Sequence, residues 1–171
     1  MNNRTLVSFA DSRLKRSLNR LRDQADRLGL SDRIEWLGAL PQGDVIEHYR
    51  NADLFVLASR VGDDGDRDGL PNVLMEAQSQ ALACIATEVS AIPELINHNE
   101  TGLLVPSEDA DKLSTAIAEL VTDPARRQAL GSSGEARVRG NFSFTTGVDR
   151  LAEKFGRPAV VPDSAAGRDA A

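Results

Sequence analysis

Short apolar runs alternate with longer amphipathic stretches from residue 5 to about residue 155. TLVSF (5–9) predicts a strand, and Leu14, Leu18, Leu21, Ala25 and Leu28 then recur at three and four residues, predicting a helix over 12–29. Asp11 and Ser12 offer its cap and Gly29 closes it. RIEWLG (33–38) alternates as a second strand does, DVIEHYRNA (44–52) predicts a short helix, and DLFVLAS (53–59) reads as a continuous apolar strand buried on both faces. After the VGDDGDRDGL loop, PNVLMEAQSQA (71–81) predicts a helix with Pro71 at its first position, where a missing N–H has no partner to lose. LACIAT (82–87) is a strand, SAIPELI (90–96) a turn with one helical turn, and TGLLV (101–105) a short final strand. Ser107 or Asp109 opens a helix to about 121, Asp123-Pro124 starts another to about 139, and Ser143 caps a last one to about 155.

Strand and helix alternating in this way argue an α/β fold, a doubly wound, Rossmann-like parallel sheet covered on both faces, with extra helices at the C-terminal end. Residues 1–155 read as one domain, and GRPAVVPDSAAGRDAA (156–171), rich in proline, glycine and small residues, as a mobile tail.

Composition narrows the function. A 171-residue chain can bury roughly 70% of the surface it exposes when unfolded, and 41% hydrophobic with 27% charged residues is ordinary for a globular protein. The net charge of −6 gives no support to nucleic-acid binding, and the basic clusters at 13–27 and 125–139 alternate with apolar residues as solvated helix faces do. Cys84 is the only cysteine and lies in an apolar run, so it reads as an inert buried thiol. No apolar run approaches the ~20 residues of a membrane-spanning helix and no signal peptide is evident, which leads to a cytoplasmic expectation. His48 and His98 are far apart and no metal-ligand spacing occurs, so no metal is expected.

DGLPNVLME (68–76) holds an acid at each end of seven mostly apolar residues. It follows a strand and enters a helix, where open α/β sheets bind ligands. The first N–H groups of such a helix, near Gly69 to Val73, have no partner within it and favour an anion such as a diphosphate. Gly69 lets the backbone approach closely, and Glu76 can accept from vicinal hydroxyls such as those of a ribose. Asp68 and Glu76 should lie about 10 Å apart, too far to act on one bond and suitable for gripping opposite ends of one ligand. The competing reading makes Glu76 an exposed helix residue and Asp68 part of a solvated acidic loop.

WLGAL (36–40), DLFVLASR (53–60), DGLPNVLMEA (68–77), IATEVSAIPELI (85–96) and TGLLVPSED (101–109), in that order and spacing, strongly resemble the C-terminal, nucleotide-sugar-binding domain of retaining glycosyltransferases of the GT-B fold. The resemblance covers residues 5 to 155. It implies one half of a GT-B fold and transfer of a sugar from a nucleoside diphosphate to an acceptor hydroxyl with retention, without a metal or other cofactor. It also implies that Asp68 contacts the donor sugar as the catalytic acid of the motif and that Glu76 holds the ribose. Backbone amides of Gly69, Leu70, Pro71, Asn72 and Val73 would serve the sugar and diphosphate, and Gly38 to Leu40 would lie near the base; Pro71, lacking an N–H, contributes only its place in that segment.

Three departures stand against the family pattern. Aspartate replaces the usual glutamate at position 68. Ser90-Ala91 replaces a Gly-Gly, tolerable if neither position needs positive φ. The N-terminal acceptor-binding domain and the first strand, with an Arg and a Lys that grip the diphosphate, are not matched; Arg4 does not fit them, and each lost charge-assisted hydrogen bond is worth roughly 1.5–3 kcal/mol. The expectation is therefore a donor-binding half that needs a separate N-terminal glycosyltransferase half as partner. The alternative is a catalytically silent remnant or a regulatory module that binds a nucleotide sugar or a partner protein. A dinucleotide-binding enzyme is disfavoured because no GxGxxG follows an early strand.

Overall fold

The computed structural model describes residues 5–7, 14–62, 69–142, 147 and 153–155. The caps expected of Asp11, Ser12 and Ser143, and the tail 156–171, lie outside them. The chain divides into two compact units, Met1–His48 and Tyr49–Ala171.

In the first unit, β1 (Thr5–Val7) pairs in parallel with β2 (Ile34–Trp36), Leu6 opposite Glu35. Between them runs α1 (Leu14–Arg27). Its end is the expected glycine stop: Gly29, at φ +66°, donates to the Asp26 carbonyl at 3.1 Å while the Leu30 N–H reaches back to the Ala25 carbonyl at 2.9 Å. The apolar stripe is less buried than its periodicity implies. Ala25 is buried, but Leu21 and Leu28 stay 41% and 62% exposed, because two three-residue strands offer a fourteen-residue helix little apolar surface to cover.

Helix α2 (Gln42–Asn51) leads into β3 (Phe55–Leu57). The second unit continues with α3 (Asn72–Ser79), β4 (Cys84–Thr87), α4 (Ile92–Leu95), β5 (Leu103–Val105), α5 (Ala110–Thr122) and α6 (Pro124–Asn141). Its three strands pair in the order β3-β4-β5, all parallel, Val56 opposite Ile85 and Ala86 opposite Leu104. Alternation along β4 sorts the core into two layers. Cys84 and Ala86 join Leu74 and Ala77 of α3 and Ile92 and Leu95 of α4. Ala83 and Ile85 join Leu103, Val105, Ala116 and Leu120 from β5 and α5, with Leu130 of α6. The strand buried on both faces is thus β4. Residues 53–59 are expected to behave so, yet β3 leaves Val56 37% exposed, whereas β5, the other outer strand, is buried at all three positions: what covers each face decides this, not the place in the sheet.

The acids expected as helix caps act as such. Asp109 accepts from the Lys112 N–H and Asp123 from the Arg126 N–H, each at 2.9 Å, with Pro124 as the first residue of α6. Ser107, the other candidate cap, instead donates its hydroxyl to the Ser59 carbonyl at 3.2 Å.

The basic residues of 125–139 are more than a solvated face. Arg127 donates to the carbonyls of Leu120 (2.6 Å) and Val121 (2.9 Å) at the end of α5, and Arg137 to those of Leu95 (2.7 Å) and Glu94 (2.8 Å) at the end of α4. Both satisfy carbonyls that a helix end leaves unpaired. Arg127→Ala is expected to lower unfolding free energy by about 2 kcal/mol, the range for hydrogen bonds from a charged donor. Urea unfolding followed by circular dichroism checks this, and an unchanged midpoint would mean that water replaces the guanidinium.

Candidate functional site

The loops leaving the carboxyl ends of β3, β4 and β5 are tied at one atom. The Ser59 carbonyl, just after β3, accepts from the Thr87 hydroxyl at 2.6 Å and from the Ser107 hydroxyl at 3.2 Å. From this knot the chain runs toward α3. Pro71 is the N-cap of that helix, with extended backbone (φ −66°, ψ 122°), and not its first helical residue as expected. Its ring fixes φ but leaves ψ free, and its carbonyl takes the Leu74 N–H at 3.1 Å as a capping residue's does.

Among the described residues no side chain caps α3, and no acid lies in its first turn. Asn72 is exposed and Val73 is 39% exposed, so their N–H groups, which have no partner inside the helix, stand at the surface with the positive end of the helix dipole. Glu76 follows Asn72 by four residues and Val73 by three, which puts it on their face, about 6 Å farther along the axis. It is half-buried, whereas Leu74, Ala77 and Gln78 turn inward and are fully covered. One end of one helix thus carries bare amides and a carboxylate on the same side.

A residue that sequence reasoning did not select completes this face. Tyr49 of α2 lies beside this carboxylate; burial first, and the charge of Glu76 second, push its phenol up to about 12. Its ring meets Phe55 edge-on, centroids 5.5 Å apart. Tyr49 is the one tyrosine in the sequence, and nothing in its local pattern marks it out.

Gly69 is exposed, and Leu70 packs half-buried against the core layer that contains Leu74. Asp68 lies outside the described residues, so the expected spacing between the two acids has no measured counterpart. Gly38 (φ +66°) and Leu40 belong to the first unit, half-buried in the loop between β2 and α2. Ser90 departs from expectation: it sits at φ +53°, so the position where a Gly-Gly was looked for does need the left-handed region, at roughly 1–2 kcal/mol of strain for a residue with a side chain.

Among the described residues no cluster of three or more His, Cys, Asp and Glu gathers to hold a metal ion. His98 is occupied structurally, its Nδ1 accepting the Leu104 N–H of β5 at 3.0 Å. Cys84 is fully buried, its thiol donates to the Leu82 carbonyl at 3.3 Å, and burial raises its pKa, which suits an inert group.

The profile of the family described as Glycosyl transferases group 1 matches residues 7–137. The chain belongs to this family of glycosyltransferases. It is 35% identical over 130 residues to the amylovoran biosynthesis glycosyltransferase AmsK of Erwinia amylovora, covering 76% of this chain and 32% of that one. It is 31% identical over 137 residues to a GDP-mannose-dependent alpha-(1-6)-phosphatidylinositol monomannoside mannosyltransferase of Mycobacterium tuberculosis, covering 80% of this chain and 36% of that protein. The chain therefore spans about a third of the length of the curated relatives it matches. Among solved structures, Anabaena HepE in complex with UDP superposes with a TM-score of 0.78 at 21% identity, over 90% of this chain and 40% of that one. The α/β architecture with a parallel sheet is thus that of GT-B glycosyltransferases. No helix among the described residues is long and apolar enough to cross a membrane.

Proposed function

We propose that these 171 residues are the donor side of a retaining glycosyltransferase, binding a nucleoside-diphosphate sugar at the start of α3. The observation that carries this reading is the uncapped, solvent-facing end of α3 with Glu76 on the same face, in a chain of this family. The amides of Asn72 and Val73 receive the diphosphate, and Gly69 and Leu70 line its approach. Glu76 accepts from the ribose hydroxyls and Asp68 contacts the donor sugar.

Charge builds on the diphosphate as the glycosidic bond breaks. Fixed N–H donors aimed at it therefore stabilise the transition state more than the bound substrate, and need no reorganisation to do so. The acceptor hydroxyl belongs to machinery in the length of the relatives that this chain does not span, supplied by a further domain or a separate chain. A donor of this kind suits a cytoplasmic reaction. Relatives named as GDP-mannose-dependent and a neighbour solved with UDP-glucose support uracil and guanine as the bases to try first.

The reading is tested by calorimetric titration with UDP, GDP and ADP and their sugars. One nucleotide should bind, and Glu76→Ala should weaken it roughly ten-fold or more, the loss of a hydrogen bond to a charged acceptor. Binding of none of them, or affinity unchanged in Glu76→Ala, overturns the assignment.

A further inference from the structure

We infer that Arg60 is a phosphate-binding residue of the donor site, its guanidinium taking the phosphate that the amides of α3 do not, and that Glu108 tunes the affinity by competing for the same group; this rests on the donor-binding reading above. The loops leaving β3 and β5 meet at two successive positions. Ser107 donates its hydroxyl to the Ser59 carbonyl at 3.2 Å, and one residue farther along each loop Arg60 Nη1 stands 3.6 Å from Glu108 Oε1. β3 and β5 flank β4, each about 4.8 Å from it, so an ion pair between residues leaving them stretches across the carboxyl end of β4, where open α/β sheets take their ligands. The start of α3 comes to the same place. Leu74, in the first turn of that helix, shares a core layer with Ala86 near the end of β4 and with Val89 just past it. Among the described residues Arg60 is the one basic residue in the loops that leave these three strands.

The pair is suited to exchange. Both side chains are mostly exposed, at 61% and 70%, and 3.6 Å is too long for a hydrogen bond, so the attraction is weak and little is lost when it opens. A phosphate offers the guanidinium more, since its oxygens match the planar fork and can accept two parallel N–H bonds from it. The adjacent amides of Asn72 and Val73 are fixed donors that converge on one phosphoryl group. The second phosphoryl of a diphosphate calls for a donor with reach, which an arginine side chain has. Glu108 is held in place by its own turn, its backbone at φ +62° and the residue before it tied to the Ser59 carbonyl. It keeps the guanidinium over β4, and any anion that takes the group must displace it.

The test compares nucleotides with one and with two phosphates. UMP, UDP, GMP and GDP are titrated calorimetrically into the wild-type chain, Arg60→Gln, Glu108→Gln and the double variant, at low and at physiological salt. Diphosphate affinity should fall about ten-fold in Arg60→Gln at low salt while monophosphate affinity stays within about two-fold, and the difference from wild type should shrink as salt rises. Glu108→Gln should raise diphosphate affinity about two- to three-fold, an effect that should largely vanish once Arg60→Gln is present. Melting temperatures of all variants should match wild type, because the pair is exposed. Equal losses for mono- and diphosphates, an affinity indifferent to Arg60→Gln, or weaker binding by Glu108→Gln overturns the inference; Glu76→Ala still weakening nucleotide binding would then leave the donor-binding reading in place. A ten-fold loss in Arg67→Gln and none in Arg60→Gln overturns it as well, giving the role to the other arginine between β3 and α3. No binding of any of the four nucleotides by the wild-type chain overturns both readings.

Discussion

Gly131→Ala is expected to destabilise the protein by about 3 kcal/mol or more, at the upper end of what overpacking does. A Cβ at this position of α6 would collide with the Ala81 carbonyl oxygen and stand 2.9 Å from its carbon and 3.3 Å from the Ala83 nitrogen. All three are main-chain atoms, so no rotamer change can relieve the contact. Nor is the opposing backbone free to retreat. Ala81 is itself in the left-handed region at φ +57°, and the segment it begins continues directly into the central strand β4. Relief requires α6 to move away from the turn, which would uncover the preceding residue, Leu130, now 3% exposed. Denaturant unfolding measures the loss. A change below about 1 kcal/mol would show that α6 can lift without disturbing the layer it covers.

Leu74→Ala should also remove about 3 kcal/mol, by a different route and with a different consequence for binding. Leu74 is fully buried in the layer it shares with Cys84, Ala86 and Ile92, and truncating a leucine there forfeits its transfer free energy and leaves a cavity. Below its lowered melting temperature the variant should still bind nucleotide with affinity close to wild type, because Asn72, Val73 and Glu76 occupy the other side of the helix. Glu76→Ala should do the reverse, losing affinity with little change in melting temperature. If Leu74→Ala and Glu76→Ala proved equally damaging to both properties, the division of α3 into a packing face and a binding face would be wrong.

Local signals carried the chain's element order well. Gly29, Asp109 and Asp123 each end or begin a helix through contacts within five residues, which is why their roles can be read from neighbouring letters. The segment 69–76 was legible for the same reason: a strand, a loop and a helix start follow one another, and the face shared by Asn72 and Glu76 follows from helical spacing alone. What escaped depends on partners distant in sequence. Tyr49 comes beside Glu76 across an intervening strand and loop, and whether 53–59 or 82–87 is the covered strand depends on what packs against each face, which no periodicity reports. Arg127 and Arg137 look like any solvated cation until the ends of α5 and α4 arrive beside them. Ser90-Ala91 was tolerable only if neither position needed positive φ, and the sequence could not decide this, because serine is an unusual choice for the left-handed region and its letter gives no sign of it.

The knot at Ser59 has a consequence for how such a protein can diversify. Because the atom that accepts both hydroxyls belongs to the main chain, almost any residue could stand at position 59 without untying it, while the two donors must remain hydroxyl-bearing. The neighbouring loops can then exchange their outward side chains over a foundation that stays still.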